Sequence, residues 1–290
     1  MTVLVKDSTL RITRISPHIG AEATGVDLAK PVDETTRRQL NEALVENVTL
    51  VIRGQAFTPA QYVAAGRLFG ELMEQDQTDI YGHPEQPLIR QVSNMYTDKT
   101  GARLKYDASW HTDHTHFVHP PKYTMLYPVN LPTDTVGGGT SVCNTRAGYA
   151  ALSDRLKQRI AGLKTVNQLA GAMRGRRNPL SVQSQMESKR EPVIQPLVRT
   201  NPDHGGSKSL YFHPRKTVNI VGMDPEATQD LLDELLEHLL KPEFIYVHPW
   251  RMGDLLIWDN RASLHKAGTD FDASQLRLLY RLVVKGERPY

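Results

Sequence analysis

The chain has 290 residues, a formal net charge of +3 and a hydrophobic content of 39%. A chain of this length and composition can bury a sizeable core, which excludes an intrinsically disordered protein. The low net charge and the absence of basic runs argue against nucleic acid as the main partner. No apolar stretch is long enough to span a bilayer, so we expect no membrane partner.

The cysteine content points to a reducing compartment. A single cysteine, Cys143, excludes an intramolecular disulfide. The N-terminal residues lack the apolar run of a signal peptide, and we therefore expect a cytoplasmic protein. The sequence shows no internal repeat and no flexible linker, so one domain over residues 1–290 is the simplest organisation.

The N-terminal part of the chain predicts, in order, a strand at 10–15, a helix at 32–47, a strand at 48–53 and a helix at 58–72. Alternating apolar residues indicate the first strand, and apolar residues three and four positions apart indicate the helices. Asp33 and Thr58 are suited to cap the two helices, and Pro59 fits the first helical position.

The rest of the chain is mainly β. Strands rich in β-branched and aromatic residues are predicted at 122–129, 208–213, 244–250, 254–260 and 276–284. A helix at 224–240 carries a leucine stripe typical of core packing. Residues 165–195 are polar and aperiodic, and predict a long loop. Many short strands separated by turns favour a mainly β fold, a sandwich or jelly roll with helical decoration.

A histidine-rich stretch, SWHTDHTHFVHPP, occupies residues 109–121. In an extended segment, residues i and i+2 face the same way, so His111 and Asp113 share one face and His114 and His116 the other. The first pair offers an imidazole and a carboxylate to one ion. Alone, such a tripeptide is more often structural or incidental. With a second histidine from elsewhere, it would form the open facial arrangement of non-haem Fe(II) oxygenases.

The segment GDLLIWDNRASLHKAG supplies a candidate third ligand, His265, after a buried strand and a polar turn. Further along, Arg277 and Arg281 lie four residues apart in a predicted strand and therefore share a face. Two guanidinium groups directed into a core require anions, and arginine binds carboxylates bidentately. A surface strand with two solvated arginines is the alternative.

These motifs resemble the Fe(II)/2-oxoglutarate-dependent dioxygenases of the taurine dioxygenase and 2,4-dichlorophenoxyacetate dioxygenase family. The resemblance covers nearly the whole chain, from GAEATGVDLAKPVD through TLVIRGQAFTPAQYVAAGRLFGEL and WHTDHTHFVHPP to IWDNRASLHKAG and RLLYR. The order and separation of these blocks are far more specific than any one motif. The resemblance implies a double-stranded β-helix fold, also called a jelly roll.

The resemblance also implies residue roles. The Fe(II) ligands would be His111, Asp113 and His265. Thr140 and Arg277 would bind the far carboxylate of 2-oxoglutarate, and Arg281 the anionic group of the substrate. The remaining histidines of the stretch do not match ligand positions and are expected to pack or to line the pocket: His114, His116 and His119.

The positions that bind taurine in the family differ here. Gln75 and Thr78 stand roughly where a histidine and a tyrosine help to hold taurine, with Tyr81 further on. Asp107 stands near the place of an asparagine, and His213 opens a basic cluster in LYFHPRKTVNI. We expect Tyr81, Asp107 and His213 to contact the substrate, and the differences argue against taurine itself.

The implied enzyme consumes O₂ and 2-oxoglutarate and hydroxylates a small organic anion. This anion would be a sulfonate, a sulfate ester, an aryloxyalkanoate or another carboxylate, with C–S or C–O cleavage where the hydroxylated carbon bears the heteroatom. A homodimer or homotetramer is expected. A zinc-dependent hydrolase and a non-catalytic binding protein on the same fold are alternatives. The hydrolase has no use for the paired arginines, and the binding protein would need a broken ligand position.

Overall fold

The computed structural model describes residues 10–74, 81–97, 108–133, 137–168 and 191–290. These residues form five α-helices: α1 (Glu34–Asn47), α2 (Pro59–Arg67), α3 (Thr145–Ala150), α4 (Asp154–Ile160) and α5 (Pro225–Leu239). Two 3₁₀ turns span Pro202–His204 and Pro242–Phe244. Within this part of the chain, no helix has the length and apolar character needed to cross a bilayer.

The first eight strands of the described residues are β1 (Arg11–Arg14), β2 (Ala21–Thr24), β3 (Thr49–Ile52), β4 (Gly82–His83), β5 (Gln86–Ser93), β6 (Tyr123–Asn130), β7 (Thr140–Asn144) and β8 (Lys164–Asn167). The next eight are β9 (Val193–Pro196), β10 (Val198–Asn201), β11 (Ser207–Leu210), β12 (Thr217–Ile220), β13 (Ile245–His248), β14 (Leu255–Asp259), β15 (Ser263–Ala267) and β16 (Leu278–Val284).

Local hydrogen bonds start the helices at the predicted residues. The Asp33 side chain accepts from Thr36 N at the start of α1, and Thr58 forms a capping box with Gln61 at the start of α2. Asp224 caps α5 through two backbone N–H groups. These bonds satisfy donors that the first helical turn leaves without a partner.

The prediction for α2 was too long, because the helix ends at Arg67. Gly70 follows with a φ of 139°, and a Cβ there would lie 2.7 Å from a Val284 side-chain carbon. Leu72 then forms an antiparallel bridge with Val284. The close approach of β16 therefore turns the chain out of the helix.

The large sheet has eight strands in the order β1-β2-β3-β14-β6-β16-β5-β4. Its neighbours are antiparallel except for the parallel β2–β3 pair. Three smaller sheets have the orders β13-β7-β15, β12-β8-β9 and β10-β11. This is the mainly β architecture that the strand pattern predicted, and most of its neighbouring strands are antiparallel.

Strand alternation in the large sheet separates two apolar cores. On one face, Ile257 and Leu282 pack with the helical residues Leu40 and Leu44. On the other face, Val51, Leu126, Leu256, Trp258 and Leu279 pack with Val142 of β7, which places the smaller sheet opposite the large one. The leucines of α5 form a third cluster with residues of β7 and β15. Helices therefore cover both outer faces, and the space between the sheets is the interior.

The predicted long loop over residues 165–195 is wrong at both ends. Residues 165–167 belong to β8 and residues 193–195 to β9, and the two strands pair in antiparallel register. Residues 169–190 lie outside the described residues. The short strands were missed because a pair of four-residue strands gives little periodicity to detect.

We expect Leu235→Ala to lower the free energy of unfolding by about 2–5 kcal/mol, because Leu235 is fully buried and its loss leaves a cavity under α5. Chemical denaturation measures this change. Glu237→Ala on the exposed side of the same helix is the control, with an expected change below about 0.5 kcal/mol. Equal losses in the two variants would contradict this packing.

Candidate active site

The structure brings together the three residues predicted to be metal ligands. His111, Asp113 and His265 each place one ligand atom within 4.8 Å of the other two. His111 N donates to His265 O at 2.9 Å, and His265 N donates to His111 O at 2.7 Å. The imidazole centroids are consequently only 4.1 Å apart. Strand β15 therefore holds its histidine beside the other two ligands through paired backbone hydrogen bonds.

The extended geometry predicted for the histidine-rich stretch ends at Asp113. The four residues from Asp113 to His116 form a turn, in which His114 has a φ of 50° and its carbonyl accepts from Phe117 N at 2.9 Å. The prediction that His114 and His116 share the opposite strand face is therefore wrong. Both rings lie 4.7 Å from the Phe117 ring, and burial lowers the pKa of His114 to about 3. His119 is exposed.

Hydrogen bonds around the ligands fix their orientation. His111 Nδ1 lies 2.8 Å from the Ser109 carbonyl, so this nitrogen carries the ring proton and Nε2 is available to a metal. Asp113 Oδ2 accepts from Thr124 Oγ1 at 2.6 Å. Thr124 Oγ1 in turn accepts from Asn260 Nδ2 at 2.8 Å.

Sequence reasoning missed Thr124 and Asn260 as supporting residues. The signal for Asn260 lies in the WDN triplet, because Trp258 Nε1 donates to Asn260 Oδ1 at 3.1 Å and thereby sets the amide orientation. Asn260 reaches Thr124, and through it Asp113, only because β14 pairs with β6, the strand that carries Thr124.

Charges in the site favour an anionic aspartate and a neutral histidine. Burial opposes ionisation of Asp113, but the Arg281 guanidinium, 2.8 Å from Oδ2, and the neighbouring histidines together outweigh burial and hold the pKa of Asp113 well below its usual range. Burial lowers the pKa of His265 well below its usual value. A carboxylate and imidazole nitrogens within 4.8 Å of one another fit a divalent transition-metal ion.

The two residues expected to bind 2-oxoglutarate are both buried in the interior. Thr140 begins β7, and its Oγ1 accepts from Trp250 Nε1 at 3.1 Å. Arg277 is 2% exposed, donates from Nη2 to Gly138 O at 3.0 Å, and lies 5.6 Å from the centroid of the Phe271 ring. Arg277 is therefore hydrogen-bonded to the segment that leads into Thr140.

The Arg281 side chain points from β16 into the interior. Leu279 and Arg281 share one face of β16, and Leu279 packs in the core between the sheets. The side chain of Arg281 is only 13% exposed. The alternative of a solvated surface strand is therefore wrong.

His213 lies next to the candidate ligand His111, with the two ring centroids 5.9 Å apart. Its Nδ1 accepts from the backbone N–H groups of Arg215 and Lys216 at 3.0 and 3.1 Å. Burial lowers the pKa of His213 well below its usual value, so the ring is neutral with its proton on Nε2. The basic turn after His213 is thus anchored by the imidazole.

Tyr81 packs against one aromatic and one basic side chain. Its ring packs edge-on against Tyr96, with centroids 4.8 Å apart, and the Arg90 guanidinium lies 4.7 Å from its centroid. Arg90 is a further residue that sequence reasoning missed. Three residues named from the sequence lie outside the described residues: Gln75, Thr78 and Asp107.

The chain is similar to known proteins over nearly its whole length. The family described as "Taurine catabolism dioxygenase TauD, TfdA family" matches residues 11–283. An alpha-ketoglutarate-dependent 2,4-dichlorophenoxyacetate dioxygenase of Cupriavidus pinatubonensis is 31% identical, over 92% of this chain and 94% of the relative. An alkylsulfatase of Acinetobacter baylyi is 28% identical, over 99% of this chain and 89% of the relative. Among solved structures, AAD-2 in complex with Mn(II) and N-oxalylglycine has a TM-score of 0.79 at 31% identity, covering 97% of this chain and 99% of that one.

We expect His265→Ala to weaken Mn(II) binding by more than about 100-fold, because loss of a ligand exceeds the effect of losing a residue that only supports one. Equilibrium dialysis or the Mn(II) EPR signal measures the affinity. The control is His119→Ala, which removes an exposed histidine from the same stretch and should leave the affinity unchanged. Unchanged Mn(II) affinity in His265→Ala would contradict this assignment.

Proposed function

We propose that this chain, which belongs to the taurine dioxygenase and TfdA family and is a 2-oxoglutarate-dependent dioxygenase, uses Fe(II) to hydroxylate a small organic anion. The observation that carries the proposal is the cluster of half-buried His111 with buried Asp113 and His265, beside two arginines that are largely shielded from solvent. Two histidines and one carboxylate leave coordination positions open for O₂ and a co-substrate. Two guanidinium groups suit two different anions.

Fe(II) fits the donor set and the reaction class. When bound, it would supply the redox chemistry that couples oxidative decarboxylation of 2-oxoglutarate to oxidation of a C–H bond. The ligands would be Asp113 and the imidazoles of His111 and His265. Thr124 and Arg281 keep the carboxylate oriented and ionised. The Mn(II) in the AAD-2 complex supports a divalent ion at such a site.

Thr140 and Arg277 would hold the far carboxylate of 2-oxoglutarate. The Thr140 hydroxyl accepts from Trp250, so its own proton can be donated to a carboxylate oxygen. Phe271 packs beside the Arg277 guanidinium and limits its contact with water, which strengthens a charge-assisted hydrogen bond. N-oxalylglycine has the same two terminal carboxylates as 2-oxoglutarate, and its presence in the AAD-2 complex supports this assignment.

Arg281 would bind the anionic group of the substrate. It lies beside Asp113, so an anion held there would place the adjacent carbon near the metal ligands. The names of the relatives support this substrate class, because 2,4-dichlorophenoxyacetate and alkyl sulfates are both small organic anions. Hydroxylation of a carbon that bears oxygen or sulfur gives a product that collapses with cleavage of the C–O or C–S bond.

The finer expectations from the sequence complete the proposal. They are a single domain over residues 1–290, a cytoplasmic location, no nucleic-acid or membrane partner, and a homodimer or homotetramer. Light scattering on the purified protein tests the oligomeric state directly.

Succinate formation tests the proposed reaction. The protein is loaded anaerobically with Fe(II), then given 2-oxoglutarate, O₂ and a panel of aryloxyacetates, alkyl sulfates, alkyl sulfonates and carboxylates. We expect one class to stimulate succinate formation, and a Zn(II)-loaded sample to form none. Absence of succinate in the presence of bound iron would overturn the proposal.

Substitutions of Arg277 and Arg281 should affect different kinetic constants. Arg277→Ala should raise the KM for 2-oxoglutarate by about 10- to 100-fold, the cost of a lost charge-assisted hydrogen bond. Arg281→Ala should raise the substrate KM by a similar factor and leave the KM for 2-oxoglutarate within about twofold. Initial rates give both constants, and Mn(II) affinity checks that Asp113 still binds metal. Equal effects of the two substitutions on both constants would contradict this division.

A further inference from the structure

Arg90 and Arg281 form a pair of guanidinium groups beside the metal ligands. Arg90 lies in β5 and Arg281 in β16, and the two residues are direct partners in the antiparallel register. Side chains directly opposite in such a pair point to the same face of the sheet. Arg90 therefore projects to the face that carries Leu279, which is the inner face of the large sheet.

The surroundings of this pair hold both cations in place. Like charges directly opposite each other destabilise a sheet, so the arrangement has a cost. Arg281 is stabilised by Asp113, 2.8 Å away, and Arg90 lies over the Tyr81 ring at 4.7 Å. The edge-on contact with Tyr96 orients the Tyr81 ring. Stacking on an aromatic ring fixes the plane of a guanidinium and preorganises its donors.

The chemistry of the anion decides what such a pair can bind. One carboxylate has two oxygens that lie in a single plane, and one bidentate arginine can contact both of them. A sulfonate or sulfate ester has three terminal oxygens in a tetrahedral arrangement, which can accept from two guanidinium groups in different directions. A guanidinium carries five N–H donors, enough for Arg281 to contact Asp113 and a substrate oxyanion together.

We propose that Arg90 is a second anion-binding residue of the substrate site, and that Arg90 and Arg281 together select a tetrahedral oxyanion, an alkyl sulfate or alkyl sulfonate, over a carboxylate. The proposal rests on the proposed function for the location of the substrate. It extends that function by adding a residue and by narrowing the substrate class. Tyr81 acts in this scheme as a positioning residue for Arg90.

Binding in the absence of turnover tests the proposal. Protein loaded with Mn(II) and 2-oxoglutarate is titrated calorimetrically, without O₂, with hexyl sulfate, hexanesulfonate and heptanoate, which have closely similar chain lengths. We expect one or both sulfur oxyanions to bind at least about 10-fold more tightly than heptanoate, as one further charge-assisted interaction implies. Tighter binding of heptanoate would overturn the proposal even if no variant could be prepared.

Substitution of Arg90 assigns the selectivity to this residue. Arg90→Gln should reduce the preference for the sulfur oxyanion over heptanoate to within about threefold. Arg90→Lys keeps the positive charge but loses the bidentate donor geometry, so its preference should be intermediate. The matched control is Arg67→Gln, which removes an exposed arginine at the end of α2. It should change neither the affinity for the sulfur oxyanions nor the affinity for heptanoate. Mn(II) affinity and the KM for 2-oxoglutarate should stay within about twofold in Arg90→Gln, a result that a merely structural role would not give.

The outcomes separate this proposal from the proposed function. If Arg90→Gln weakens the binding of all three anions equally while succinate still forms, the selectivity proposal fails and the dioxygenase function stands. If the sulfur oxyanion is preferred through Arg90 but no succinate forms with bound iron, the selectivity proposal stands and the proposed function fails.

Discussion

The two backbone hydrogen bonds between His111 and His265 decide where the site lies. They connect the histidine-rich stretch to β15, and so bring two imidazoles and the Asp113 carboxylate to one point in the interior. A loop could not hold three ligand atoms at such short separations without support. The strand supplies that support because β15 is itself paired with β7, which also carries Thr140.

An interior that contains several charges must compensate each of them. Asp113 lies beside Arg281, and the guanidinium of Arg90 lies over an aromatic ring. Arg277 donates to the Gly138 carbonyl at 3.0 Å. Transfer of an uncompensated charge to such surroundings would cost several kcal/mol, so the compensation is a condition of folding as well as of function. The oxyanions of the co-substrate and the substrate would complete it.

The WDNR turn between β14 and β15 links stability to the site. Asp259 and Arg261 form a buried ion pair at 2.8 Å, which fixes the turn. The residue between them, Asn260, donates to Thr124, and Thr124 donates to Asp113. The same turn sets the start of β15 and hence the position of His265. One four-residue segment therefore places one candidate ligand and orients another.

The sequence by itself determined the interactions that act over a few residues. The caps at Asp33, Thr58 and Asp224 join neighbours in the chain. The motifs predicted the dioxygenase class, which the family match confirms, and they named the three candidate ligands that the structure brings together. Only the tertiary structure decided the turn after Asp113, the early end of α2, and the pairing of Arg90 with Arg281. These depend on which distant strands become neighbours and in which register. Packing of the whole core selects that register, and no local pattern encodes it.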